Sequence, residues 1–388
     1  MLQDAQIADF LGKTLGIERL FSLFTDIRKN PTIPLPTILL SIILMPFFGL
    51  TSLLALDMKA RTKSFKKLFR CERKMVLSDS TAARILTWLK LKQSQQFLRS
   101  FVDCYEKLGL LEKALEVGGT PRRIGIIDGS EMGGYFHVTF ALHGSIDYPC
   151  MVEDQGRRGK ELPTALRMLN KAHAWLGPRF PDLLLCDSLY FNVNTFKNVR
   201  EKGAHILIKS SSPDFRNVLK DAQFLFEHDV TTKIERTGGF DSERWCSWSI
   251  EKTSGEFAGY PVHIAHLVEH YPKHTKDPHR ECWIVTTDLS LSSLCLRETA
   301  HLRWHIENNV FKRISHLAGT KRFYFKDPRP FYTMLGFLFA ALAALDAYIC
   351  ILKQRKREFK LLMNGAKPTW KMIFTLLNDQ LEDAAFCW

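Results

Sequence analysis

The sequence lacks the patterns that mark several large classes of protein. Its nine cysteines include no Cys-x-x-Cys and no paired spacing, so neither a disulfide framework nor a zinc ribbon is encoded, and the odd count argues against full pairing. A reducing cytoplasm is the expected setting. The first residues, MLQDAQIADF, hold no basic segment leading into an apolar run, so no secretory signal is expected. No Gly-x4-Gly-Lys-Ser/Thr loop is present, which removes the usual basis for ATP dependence. Internal repeats and low-complexity tracts are absent too. With 22 Gly and 16 Pro in 388 residues, collagen-like and linker-like chains are excluded.

What is present is a large core and an uneven charge. Hydrophobic residues make up 46% of the chain, with 28 Phe and 8 Trp, more apolar surface than a disordered chain keeps in water. At roughly 150 residues per domain, the length implies two or three domains. The net charge of +13 is concentrated in two places. Residues 57–100 hold twelve Lys/Arg against three acids, and residues 353–360 (KQRKREFK) hold five against one. The rest of the chain is neutral. Two basic segments on a neutral body fit either a polyanionic partner or a solvated basic face.

Two apolar stretches have the length of membrane spans. Residues 37–56 carry no charge, and residues 331–352 carry only Asp346. Each is either a transmembrane helix or a helix buried in a large core. Pro46 and Gly49 divide the first, so two short helices or a kink are expected there. Core burial is the reading adopted, with no membrane partner.

Along the chain, residues 1–118 read as a helical, basic, DNA-binding domain. SDSTAARILTWLK (78–90) opens with cap residues, places Ile85, Leu86 and Leu89 on one face, and turns Arg84 and Lys90 outward. Residues 119–350 change character. RRIGIIDGS is an apolar strand ending at Asp128; HVTFALHGSI (137–146) is a second strand, paired with the first through a Gly-Gly-Tyr turn. A helix over 160–176, a strand running into Asp187, a helix closed by Gly203 and a strand over 204–210 follow. Strands alternating with helices define an α/β mixed sheet. Residues 211–298 instead alternate with Gly-rich turns, as an antiparallel β insertion would. One long helix is expected over 297–319, ending at Gly319. Residues 351–388 form a basic C-terminal tail.

Asp128 and Asp187 each follow an apolar strand, and in open α/β sheets functional side chains gather at strand ends. Each is also a residue type that caps helices and makes turns. Glu307 lies four residues after Arg303, so the two share a helix face, either as a surface pair or as part of a site. Three carboxylates from separate elements suit oxygen-seeking Mg²⁺ or Mn²⁺.

These residues carry a family resemblance. Asp128 in IIDGS, Asp187 in LLLCDSLYF, and Glu307 in RWHIENNVFKRI resemble the three acidic signatures of DDE transposases. More narrowly, the chain is similar to the bacterial insertion-sequence group with a β-rich insertion between the second Asp and the Glu. The spacings agree, 59 residues from Asp128 to Asp187 and 120 from there to Glu307. GRRGKELPTALRML (156–169) and TTDLS (286–290) add to it, so the resemblance spans roughly 120–345.

The resemblance implies a ribonuclease-H-like catalytic domain that binds two Mg²⁺ (or Mn²⁺) ions through Asp128, Asp187 and Glu307. It implies cleavage at transposon ends, strand transfer into target DNA, double-stranded DNA as partner, and a homodimer in the synaptic complex. Arg303 matches the arginine of the group's Tyr-x2-Arg-x3-Glu-x6-Lys pattern and is expected at a phosphate. Ala300 stands at the tyrosine position and Ile314 at the lysine position, leaving Lys312 or Arg313 as candidates for the missing cation. Lys160 and Lys209, near strand ends, are further candidates for DNA phosphates. Trp245, Trp248 and Trp283 either stack on an unpaired base or fill the core. His266, His270, His274 and His279 are read as a polar loop rather than a zinc site, since Pro272 interrupts any helix that would align them. The rival readings are a nuclease of the same fold without strand transfer, and a DNA-binding remnant that no longer cuts.

Overall fold

The computed structural model describes residues 6–69, 76–111, 115–117, 120–210, 222, 234–238, 241–250, 257–270, 279–320 and 325–354. Most of the basic tail from 351 and most of the 211–233 segment lie outside the described residues.

The N-terminal part is helical. Short α1 (Gln6–Asp9) runs into a π-helical turn, followed by α2 (Ile17–Phe21), α3 (Leu35–Ile43), α4 (Leu53–Ala60), α5 (Lys63–Leu68), α6 (Asp79–Trp88) and α7 (Leu91–Lys107). Hydroxyl residues start several of them: Ser52 accepts from the Ala55 amide at 3.0 Å, Thr62 from Phe65 at 3.3 Å and Ser78 from Thr81 at 3.2 Å. Each satisfies an amide the first helical turn leaves open. Pro46 and Gly49 fall in the turn between α3 and α4, Gly49 at φ +63°. In α7 the buried residues are Ser94, Phe97, Leu98, Phe101, Val102 and Tyr105, the three-and-four spacing of one helical face.

Eleven strands follow among the described residues. β1 (Leu115–Val117) and β2 (Thr120–Arg122) make a small hairpin; β3 (Ile124–Met132), β4 (Tyr135–His143) and β5 (Asp147–Asp154) come next. Helix α8 (Glu161–Leu176) leads to β6 (Leu183–Cys186), and α9 (Val193–Arg200) to β7 (His205–Ser210). β8 (Ile234–Gly238), β9 (Asp241–Ile250), β10 (Val262–His270) and β11 (His279–Thr286) are the antiparallel insertion, and α10 (Ser293–Leu302) follows. A π-helical turn (Ile306–Phe311), α11 (Lys312–Ala318) and α12 (Pro328–Gln354) end the described chain.

The chain divides into two compact units, neither continuous in sequence: Met1–Glu112 with Gly129–Gly159 and Glu307–Trp388, and Lys113–Asp128 with Lys160–Ile306. In the first, α12 packs on α3, α6, α7, α11 and β5. Phe337 is the hub, 5.3 Å from both Phe24 and Phe97, while Phe97 meets Phe101 at 5.1 Å. Each fully buried ring contributes about 1.5–3 kcal/mol. β4 pairs antiparallel with β5 and adjoins β3. The β3–β4 turn uses Gly133 and Gly134 at φ +56° and +79°, the left-handed pair a two-residue hairpin needs.

Helix α12 has the length and apolarity to cross a membrane, yet 83% of its most apolar window is buried within the protein. The one charge within its apolar stretch 331–352, Asp346, is held by Arg313 of α11 at 2.8 Å. The residue pattern is that of a core helix.

The second unit is a mixed sheet of seven strands in the order β3–β6–β7–β11–β10–β9–β8. β3, β6 and β7 are parallel; β11 to β8 are antiparallel. This is the α/β class with an antiparallel insertion and a helical N-terminal part.

Two local expectations change. The 297–319 segment is not a single helix: α10 ends at Leu302 and a π turn precedes α11. Buried Ile306, Val310, Ile314 and Ala318 recur every four residues. A regular helix would rotate that row by about 40° per step, and a wider π turn takes up part of the drift. The His-rich loop is also shorter than expected, because β10 runs to His270 and β11 begins at His279. His266 stacks on Trp283 with ring centres 4.3 Å apart, which favours continued pairing over a loop.

Candidate functional site

The two aspartates meet because two apolar strands run side by side. Ile124, Ile126 and Ile127 of β3 and all four residues of β6 are buried. The parallel register sets Ile126 opposite Leu185, so two residues further along each strand Asp128 and Asp187 arrive level. β7 joins at the same height. Cys186 lies opposite Ile208, which brings Lys209 level with Asp187. Three side chains thus collect just past the C-terminal end of the β3–β6 ladder, the place where open α/β sheets carry their sites. β6 stops before Asp187, but β3 does not end at Asp128 as the sequence led one to expect: it runs on to Met132, because its second half continues beside β4.

A third carboxylate completes the group. Glu161, in the first turn of α8, has an oxygen within 4.8 Å of one from each of Asp128 and Asp187. An acid there is favoured by the helix dipole. Tyr190 donates to Glu161 Oε1 at 3.0 Å, and the Leu189 amide donates to Asp187 Oδ1 at 2.9 Å. Arg303 Nη1 donates to Asp128 Oδ2 at 3.4 Å. Burial pushes the Asp187 carboxyl up from its ordinary value, against the pull of the Leu189 amide and Arg303. Burial and the neighbouring carboxylates also raise the Tyr190 phenol and the Cys186 thiol. Three crowded, half-desolvated acids want a cation.

The other expected residues are placed as follows. Glu307 belongs to the first unit, on the π turn, where Lys312 pairs with it at 3.0 Å. Lys312 also donates to Asn308 Oδ1 at 2.8 Å and stays exposed. Arg313 has its guanidinium on Asp346. Lys160 is exposed at the start of α8. Lys209 is buried, and its ammonium lies 4.2 Å from the centre of the Trp304 ring, a cation–π contact. Ala300 and Ile314, at the tyrosine and lysine positions of the resembled pattern, are both fully buried, so those positions are core here. Trp283 is buried against His266; the Trp245 and Trp248 side chains lie outside the described ones.

Sequence reasoning missed Glu161 as a member of the acidic group and Trp304 as the partner of Lys209. Glu161 was within reach, since it stands inside the GRRGKELPTALRML stretch and opens a helix that follows a strand.

The donor set fits a hard divalent ion. Asp128, Asp187 and Glu161 offer only carboxylate oxygens, with no thiolate or imidazole among them, which suits Mg²⁺ or Mn²⁺ over zinc.

Fold and site together define an α/β chain with an acidic cluster just past the end of its β3–β6 ladder. No protein-family model matches the sequence, and no curated protein matches it. Among solved structures the chain is similar to a piggyBac transposase synaptic complex with hairpin DNA, at 10% identity and a TM-score of 0.43, covering 98% of this chain and 77% of that one. No residue role in this chain rests on that likeness.

Proposed function

We propose that the chain is a DDE transposase that cleaves at transposon ends and joins the freed 3′ ends to target DNA. The observation that carries this reading is the convergence of Asp128, Asp187 and Glu161 within 4.8 Å just past the end of the β3–β6 ladder. The resemblance of the segments around Asp128, Asp187 and Glu307 to the transposase signatures supports it.

In this reading Asp128 and Asp187 hold two Mg²⁺ or Mn²⁺ ions. Glu307 is the third ligand that the resemblance requires, and Glu161 is a further carboxylate at the cluster. Bound ions would lower the pKa of the attacking water or 3′-hydroxyl and stabilise the departing oxygen. In cleavage a water oxygen bonds to phosphorus and the 3′ oxygen leaves; in joining that 3′-hydroxyl attacks a target phosphodiester and a second 3′ oxygen leaves. Arg303 keeps the Asp128 carboxylate oriented and has further N–H groups for a phosphate. Lys160 and Lys312, both exposed, add phosphate contacts, and Lys209 is placed at strand-end height beside Asp187. Duplex DNA would be held largely through phosphates, with strong salt dependence, by a dimer during synapsis.

The test uses labelled transposon-end DNA with Mg²⁺, Mn²⁺ or EDTA, comparing the natural chain with Asp187→Ala. Metal-dependent 3′ cleavage and joining to a plasmid, both lost in the variant, are expected. Cleavage without joining would instead make the chain a nuclease, and tight binding without cleavage a DNA-binding remnant.

A further inference from the structure

The first unit contains a cavity of about 440 Å³ that none of the acidic-site residues lines. One wall is a single face of α6, with Thr81, Arg84, Ile85 and Trp88 at i, i+3, i+4 and i+7. The opposite wall is the loop over 28–33. Ile85 forms an apolar floor at 3% exposure, while Trp88 keeps 45% of its surface open. Among the described residues no ring stacks on this tryptophan, so its π face is open beside the cavity.

The charge of the lining is of one sign. Arg28, Lys29 and Arg84 line the cavity, and among the described residues no carboxylate does. Arg28 is already used, because Asp26 binds it at 2.6 and 2.8 Å and the Ile33 carbonyl at 2.8 Å. That clamp fixes the loop. Among the described residues Lys29 and Arg84 meet no carboxylate, and Arg84 contacts only the Thr81 hydroxyl, at 3.4 Å. Between them Asn30 holds φ +52°, the one non-glycine residue at positive φ among those described. Such conformations persist where the surroundings impose them, often at ligand sites.

The geometry points to a nucleotide pocket. The base of an unpaired nucleotide stacks on Trp88 over the Ile85 floor, and Lys29 and Arg84 meet its phosphate. The volume is within the roughly 300–1,000 Å³ of ligand sites, and the combination of one open aromatic face with free cations is how single strands are gripped without sequence preference. The same chemistry serves a nucleotide within a strand or a free one. Neither the pocket nor its ligand depends on the acidic cluster.

The experiment measures binding of a fluorescent 12-nucleotide single strand to the full chain in EDTA, across a salt series. Trp88→Ala is expected to weaken binding about tenfold, as loss of one stacked base does, and Trp88→Phe to restore most of it. Arg84→Gln is expected to reduce the slope of log K against log salt by about 0.7. EDTA keeps the proposed metal-dependent catalysis out of the readout, which separates the pocket from it, and Met58→Ala, at an exposed residue outside the lining, should leave both unchanged. Competition by dAMP would identify a free nucleotide as the ligand, and its failure to compete a nucleotide within a strand. Unchanged affinity in Trp88→Ala together with an unchanged salt slope in Arg84→Gln would overturn the inference.

Discussion

Removing Arg313 should unmask the price of a charge in the most apolar helix. Asp346 is surrounded by α12 residues such as Leu342, Ala343 and Leu345 that are almost wholly buried, and both its oxygens meet the Arg313 fork at 2.8 Å. Breaking such a pair from one side costs about 3–5 kcal/mol, so Arg313→Leu should lose that much stability near neutral pH. Burial already raises the Asp346 carboxyl, and Arg313 opposes the rise. Without the arginine, the folded protein would bind a proton there that the unfolded chain releases. Stability of the variant relative to the natural chain therefore falls as pH rises, and the loss should be larger at pH 8 than at pH 5. Replacing both partners, as Arg313→Met with Asp346→Leu, should return stability to within about 1 kcal/mol of the natural chain or above it. Urea denaturation at the two pH values measures all of this. A loss under about 1 kcal/mol for Arg313→Leu at both pH values would refute the reasoning.

His137 is buried against Phe311 and Tyr332, and burial lowers its pKa to about 4. The unfolded ring, near 6.5, binds a proton first as pH falls, so about 3 kcal/mol of stability present above pH 6.5 should disappear by pH 4; His137→Phe should flatten that part of a stability-against-pH curve. At Gly336 an added Cβ would collide with the Ser94 hydroxyl, which donates to the Thr333 carbonyl. Gly336→Ala should therefore cost about 1–3 kcal/mol in denaturation midpoints, and Ser94→Ala added to it should recover part of the loss. Glu307→Gln should abolish DNA cleavage, whereas Glu161→Gln should weaken the metal requirement, read as a higher Mg²⁺ concentration for half-maximal rate. Equal, small effects of both would remove each glutamate from the ion site.

How much of this was legible in the sequence depended on range. The strand ending before Asp187 announced itself, because a short apolar run that stops at an acid marks where a buried strand leaves the core; the same pattern misled at Asp128, where the strand runs on to Met132 through its pairing with β4. The core role of 331–352 was legible only as one of two options, since a buried helix and a membrane span have the same composition. What separated them was Arg313 meeting Asp346 from another helix, a contact no local pattern encodes. Glu161 escaped for a similar reason: at the start of a helix an acid is expected for the dipole alone, and only the packed structure brings its oxygen within 4.8 Å of those of two aspartates. The break after Leu302 was hidden because RWHIENNVFKRI contains no proline or glycine. Its wide turn follows from buried residues four apart, not from a breaker. The positions of Ala300 and Ile314 looked like losses from a catalytic pattern, and their complete burial shows them as core residues. Nothing in the 78–90 pattern singles out Trp88, because the loop over 28–33 that lines the same cavity is about fifty residues away in sequence.

The central claim is that the strand-end acids bind divalent ions, and the most direct measurement is Mn²⁺ binding to the full chain by electron paramagnetic resonance, without DNA. Saturable binding is predicted that weakens as pH falls through the raised Asp187 range, is lost in Asp128→Asn with Asp187→Asn, and is displaced by Mg²⁺. Undiminished Mn²⁺ binding in that double variant would contradict it.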